Sequence, residues 1–169
     1  PLHGESLLPL IEGTGTPREY ILYGIFGKQI NITDGRYTYF RTPRNNNEPL
    51  YMYTSVPIDN KVYFNRSRFA DISKIEMGHF LDWTDFPMYR YPAKLIKNKP
   101  GYALDYNNLL PWEQEDQLYD LEVDYAQECN IVAERPDVVD RLCEAMAKEI
   151  IRQQAPLDHL QRMDLSKYL

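Results

Sequence analysis

Between Tyr20 and Phe40 the chain is dominated by Ile, Tyr, Thr and Phe, broken by Gly24, Gly27 and the dipeptide Asp34-Gly35. The runs Tyr20 to Phe26 and Lys28 to Phe40 have the composition of strands. Asp-Gly between such runs predicts a two-residue type I′ hairpin, which needs positive φ at both central residues. That register would pair Thr33 with Arg36, Ile32 with Tyr37 and Ile30 with Tyr39. Ile30, Ile32, Tyr37 and Tyr39 then share one face, the natural core face, and Gln29, Asn31, Thr38 and Phe40 share the other. The same stretch, "NITDGRYTYFR", also carries the glycosylation acceptor Asn31-Ile32-Thr33 and enough Tyr to line a binding site. The strand prediction at Asn31 favours the hairpin.

The pattern elsewhere is less regular. "LYMYTSVP" and "QLYDLEVD" read as strands, the second ending in a turn, and "FLDWTDFPMYRYPAKLI" as a strand near a loop. "RFADISKIEMGHF" predicts a short helix ending near Gly78, with Phe69, Ile72, Ile75 and Met77 on one side. Arg41 to Leu50 is a polar loop, and so is "KNKPGYALDYNNLLPWEQED". The clearest element is "ERPDVVDRLCEAMAKEIIRQQAP", a helix with Pro136 in its first turn and Pro156 past its end. Val139, Leu142, Cys143, Met146 and Ile150 form its apolar stripe, which would pack on the sheet. "LDHLQRM" predicts a last helical turn. The sum is an α+β fold: a small antiparallel sheet packed against a long C-terminal helix, with long irregular loops.

At 169 residues, 43% hydrophobic and 26% charged, the chain suits one globular domain. The net charge of −6 is uneven: residues 1–100 carry 13 Lys/Arg against 10 Asp/Glu, and residues 101–169 carry 6 against 15. The acidic half reads as a solvated helical face, and no basic cluster interleaves with aromatics, so nucleic acid is not an expected partner. No apolar run is long enough for a membrane span. The chain starts at Pro1 without Met, which leaves room for a signal peptide cut away upstream and the compartment open.

Little in the sequence announces chemistry. Cys129 and Cys143 lie in no C-x-x-C, and Cys143 on the helix stripe reads as a buried structural thiol. His3, His79 and His159 are far apart, and His79 with Asp82 and Asp85 is the one local cluster. The run Glu113 to Asp124 reads as a solvated turn, since nothing apolar around it would raise a pKa. No phosphate-cradling glycine loop and no G-x-S-x-G is present.

Three stretches resemble one family. His3-Gly4-Glu5-Ser6-Leu7-Leu8-Pro9-Leu10-Ile11-Glu12-Gly13 is similar to the "D-G-x-S-L-L-P-L-L-x-G" segment that sulfatases carry just after their catalytic part, with His3 in place of Asp. Leu118 to Glu122, then Asp124 and Asn130-Ile131, resemble the family's C-terminal "L-Y-D-L-x-x-D-P-x-E-x-x-N-L", with Tyr125 for Pro and Gln127 for Glu. Between them, "NITDGRYTYFR" stands where sulfatases place "R-x-x-x-D-G-x-Y-K-Y".

The resemblance implies a particular and partly negative function. Sulfatases, of the alkaline phosphatase superfamily, cleave sulfate esters with a formylglycine made from the Cys or Ser of C/S-x-P-x-R, beside a divalent metal, calcium in particular, held by Asp and Asn. Neither Cys lies in that motif, and Ser55-Val56-Pro57-Ile58-Asp59 ends in Asp. In the family these groups precede the segment matched here by Gly4 to Gly13. Residues 1–169 would thus be a single domain, the C-terminal subdomain of a sulfatase, inactive alone and without a catalytic residue, metal or cofactor of its own. Residues 1–18 would be the linker that docks on the catalytic domain of the same parent chain, 19–124 mainly sheet with a short helix, and 125–169 helical. The parent would act on a sulfated small molecule or glycan. The loop Tyr23 to Gln29 is the expected cleft-facing element: Phe26 would stack on a sugar or aryl ring and Lys28 would meet an anionic group. The competing reading makes Phe26 core and Lys28 a solvated strand end. Two other functions stay open, a related phosphonate or phosphate ester hydrolase and a free-standing carbohydrate-binding module using exposed Tyr, Trp83 and Trp112.

Overall fold

The computed structural model of the chain describes residues 4–56, 58–59, 62–63, 71–93 and 114–169. It is an α+β fold of antiparallel sheets and a C-terminal helix. After a single-turn helix α1 (Leu8–Ile11) come β1 (Ile21–Gly24), β2 (Ile30–Thr33) and β3 (Tyr37–Arg41). A second group follows: β4 (Tyr51–Thr54), the small ladder β5 (Ile58–Asp59) and β6 (Val62–Tyr63), β7 (Glu76–Gly78) and β8 (Met88–Pro92). The chain then returns through β9 (Gln117–Asp120) to α2 (Pro136–Arg152) and α3 (Asp158–Arg162). β1-β2-β3-β9 form one sheet and β4-β8-β7 another. His3, Phe69, Trp112 and Glu113 lie outside the described residues.

The β2–β3 hairpin has a different register from the one expected. Thr33 lies opposite Thr38, Ile32 opposite Tyr39 and Ile30 opposite Arg41, so the loop has four residues and not two. Asp34 is the reason. Its carboxylate accepts hydrogen bonds from the amides of Arg36 (3.0 Å) and Tyr37 (2.7 Å), an Asx turn that competes with the type I′ geometry. Gly35 alone takes positive φ, +91°. Because the register moves by two residues, each side chain stays on its expected face. Ile32, Tyr37 and Tyr39 are buried under α2, with Ile30 partly buried beside them. Asn31 on the opposite face is only 8% exposed, so the sequon is closed to a bulky glycan.

The α2 stripe forms as expected at Leu142, Cys143, Met146 and Ile150, but Val138 is buried and Val139 only partly so. The helix buries more than one stripe, Ala145 and Ala147 included, because the chain doubles back over it: Leu160, Met163 and Leu165 join the same core. α2 therefore lies between the four-stranded sheet and its own C-terminal return. Pro136 starts it, with Asp137 in the first turn and Arg152 in the last, both favourable for the helix dipole.

Two expectations fail here. The helix expected over "RFADISKIEMGHF" is, in its described part, one 3-10 turn at Ile72–Lys74 followed by the strand β7. Asp71 caps that turn by accepting from the Ser73 amide, and Ile75 is already extended, so the helix does not propagate. The run expected as a solvated turn, Glu113 to Asp124, is not one in its described part, residues 114–124. Asp116 and Asp120 both carry ion pairs on half-buried or buried side chains, and Asp124 accepts from the amides of Glu128 and Cys129.

Candidate functional site

The loop expected to face a cleft is a tight turn with a built frame. β1 ends at Gly24, where φ is +153° and a Cβ would stand 2.8 Å from the Gln29 carbonyl oxygen, so only glycine fits. The Lys28 amide closes the turn on the Ile25 carbonyl at 3.0 Å. Behind it, Asn45, Asn46 and Asn47 all adopt left-handed backbone, which Asn tolerates better than other residues with a Cβ. Asn47 Nδ2 donates to the Gly27 carbonyl at 2.7 Å. Arg162 Nη1 donates both to Asn47 Oδ1, at 2.8 Å, and to the Lys28 carbonyl, at 3.0 Å. Arg162 is buried, and burial brings its pKa down to about 10 despite the nearby Asp158 charge, so it remains cationic at neutral pH.

On this frame Phe26 is exposed rather than core, and Lys28 is half-buried. The turn continues an exposed apolar edge with Ile21, Tyr23 and Ile25. Leu7, Leu8, Leu10 and Ile11 are exposed as well, Leu7 at 67% and Ile11 at 80%. Gly15 folds closely over the end of α1, and the Gly15 amide donates to the Pro9 carbonyl at 2.9 Å. The N-terminal segment is thus ordered while its apolar side chains face outward.

A buried polar cluster fastens this region to the core. Asp116 accepts from the Tyr39 hydroxyl (2.6 Å), the Thr42 amide (2.9 Å) and Arg44 Nη2 (2.8 Å), with Arg41 Nη1 3.7 Å away. Burial alone would raise its pKa; these donors outweigh burial and hold the carboxyl below its ordinary value. Arg41 Nε and Nη2 donate to the carbonyls of Met163 and Asp164, at 2.7 and 3.1 Å. Burial pushes the thiol pKa of Cys143 up, which agrees with a structural thiol and not a nucleophile. Every group of this cluster is engaged, and none is poised for proton transfer. The Arg44 amide also donates to the Arg162 carbonyl at 2.7 Å, so cluster and loop frame are one unit.

A separate groove of about 580 Å³ lies between the three-stranded sheet and α3, among Tyr51, Tyr53, Phe80, Arg90, Leu157 and Asp158. Phe26 and Lys28 do not line it. Arg90 packs over the rings of Phe80 and Tyr51, 4.2 and 5.1 Å from their centroids, and binds Glu76 through Nε at 2.8 Å. The Tyr53 hydroxyl donates to Asp158 Oδ1 at 3.2 Å; burial and that carboxylate together raise its pKa. His79, Asp82 and Asp85 are exposed, and among the described residues no three His, Cys, Asp or Glu side chains gather as metal ligands.

Sequence reasoning singled out Phe26 and Lys28 but missed the residues that hold them, Asn47 and Arg162. The run of three Asn in "RNNNEP" was the available signal, since consecutive Asn suits left-handed backbone. The groove had no local signal, because its walls come from two distant parts of the chain, residues 49–90 and 156–166. Among the described residues no helix is long and apolar enough to cross a membrane. Neither the protein-family models nor the curated proteins include a match to this chain.

Proposed function

We propose that this chain is the C-terminal part of a sulfatase, completing the fold and shaping one side of the substrate cleft while the catalytic centre lies on an N-terminal part. The observation that carries the reading is the outward-facing apolar segment Leu7 to Ile11, which coincides with the stretch resembling the sulfatase linker. Exposed apolar side chains concentrated on one segment mark a contact surface, and the catalytic domain of the same parent chain is its partner in this reading. The exposed edge Ile21, Tyr23, Ile25 and Phe26 would extend that contact. Lys28, held by its carbonyl on Arg162, would present its ammonium to the anionic group of a sulfated small molecule or glycan. The formylglycine and the divalent metal, calcium in this reading, would belong to the N-terminal part.

The test uses the full-length parent. Lys28→Ala should lower kcat/KM for sulfated substrates about tenfold, with the melting temperature unchanged. Unchanged kinetics across several sulfated substrates would remove Lys28 from the cleft. The sibling reading, a phosphonate or phosphate ester hydrolase, is separated by the upstream nucleophile, a Thr or Ser outside any C/S-x-P-x-R.

A further inference from the structure

The turn between Gly24 and Lys28 is held from behind at two consecutive carbonyls, and one side chain sits at the centre of that hold. Asn47, 5% exposed, donates from Nδ2 to the Gly27 carbonyl at 2.7 Å and accepts at Oδ1 from Arg162 Nη1 at 2.8 Å. The same Nη1 donates to the Lys28 carbonyl at 3.0 Å. A guanidinium only donates and a carbonyl only accepts, so the Asn47 amide has one permitted orientation. The backbone narrows the choice of residue further: φ is +63° at Asn47, a conformation suited to Gly, Asn and Asp. Of these three only Asn brings a donor for Gly27 together with an acceptor for Arg162. An ionised Asp would turn an oxygen toward the Gly27 oxygen, and Gly would reach neither partner. Arg162 is fixed in turn at its own carbonyl by the Arg44 amide at 2.7 Å, and Arg44 binds Asp116. The turn therefore takes its position from the buried polar cluster.

We infer that Asn47 is a positioning residue: by fixing the Gly27 carbonyl it sets the direction in which Lys28 leaves the turn toward the anionic group of the substrate. The inference rests on the role given to Lys28 above. Asn47 itself is buried, with both polar atoms of its side chain engaged by protein groups, so it acts only through the turn. Asn47→Asp in the full-length parent keeps the shape, the left-handed backbone and the bond to Arg162, now charge-assisted, and loses only the donor to Gly27. It should raise KM for sulfated substrates about fivefold and leave kcat within about twofold. Combined with Lys28→Ala it should cause no further loss, since no ammonium is left to aim. Asn47→Gly, which keeps the backbone and deletes the amide, should behave alike and serves if the Asp variant folds poorly. In the 169-residue chain either variant should speed exchange of the Lys28 amide, which closes the turn on Ile25, about tenfold while β3 amides stay unchanged. Unchanged exchange at Lys28, or a loss that adds in full to that of Lys28→Ala, would overturn the inference. Unchanged KM beside an impaired Lys28→Ala would overturn it alone and leave the cleft reading standing, whereas a Lys28→Ala without effect would overturn both.

Discussion

The sheet β1-β2-β3-β9 buries Ile32, Tyr39 and Leu118 completely under α2, whereas β4-β8-β7 buries Tyr91 alone among its strand residues. Both are rich in Tyr, so composition does not separate them. The first sheet gains its stability from apolar area against a helix, plus the buried Arg41–Asp116 cluster beneath it. The second is joined to α3 by partly exposed polar and stacking contacts, namely Arg90 on Phe80 and Tyr51 and Tyr53 on Asp158. One sheet is thus a scaffold, and the other frames a groove that remains open.

If that contrast is right, removing Asp116 should do the most damage. Asp116→Ala leaves Arg41 buried without its carboxylate and should cost about 3–5 kcal/mol in chemical denaturation. Leu142→Ala, under the four-stranded sheet, should cost about 2–5 kcal/mol by the same measurement. Arg90→Ala in the second sheet should cost about 1 kcal/mol at most, because its ion pair and ring stacking are partly solvated. Equal losses at Leu142 and Arg90 would erase the distinction. Hydrogen exchange offers a second view: amides of β2, β3 and β9 should open only with global unfolding, and those of β4 and β8 earlier.

Acid should act in two stages. Burial, helped by Arg162, lowers the pKa of His159 beneath its ordinary 6.5 despite Asp158. The unfolded chain therefore takes up that proton first, and stability falls as pH drops below about 6.5. Asp34, Asp116 and Asp120 have depressed pKa values, so their contribution is full above the ordinary 3.8 of the unfolded chain and is lost progressively as pH falls from there through their lower folded values. Thermal melting of His159→Gln between pH 7 and 5 should be flatter than that of the parent chain. The smallest effect is expected at Phe26: Phe26→Ala should shift the stability of the isolated chain by about 0.5 kcal/mol or less, since its ring is exposed.

Much of the scaffold was legible because its signals are local and periodic. The faces of β2 and β3 follow from alternation, and α2 follows from its stripe and flanking prolines. The hairpin register was not legible, since Asp34 had two uses and its carboxylate, also paired with Arg141 of α2 at 2.7 Å, went to the Asx turn. Asp116 looked like a solvated carboxylate because its four partners, Tyr39, Thr42, Arg44 and Arg41, lie more than 70 positions earlier. Phe26 and Lys28 could be found as a loop between glycines, but the Asn47–Arg162 frame joins residues 115 positions apart.

The central claim, a sulfatase subdomain whose outward-facing Leu7 to Ile11 belongs against a catalytic part, is tested most directly by reading the gene upstream of Pro1. The account expects an open frame that encodes a C/S-x-P-x-R motif followed by the Asp and Asn metal ligands. A frame that lacks that motif, or one that starts at this segment, would contradict it.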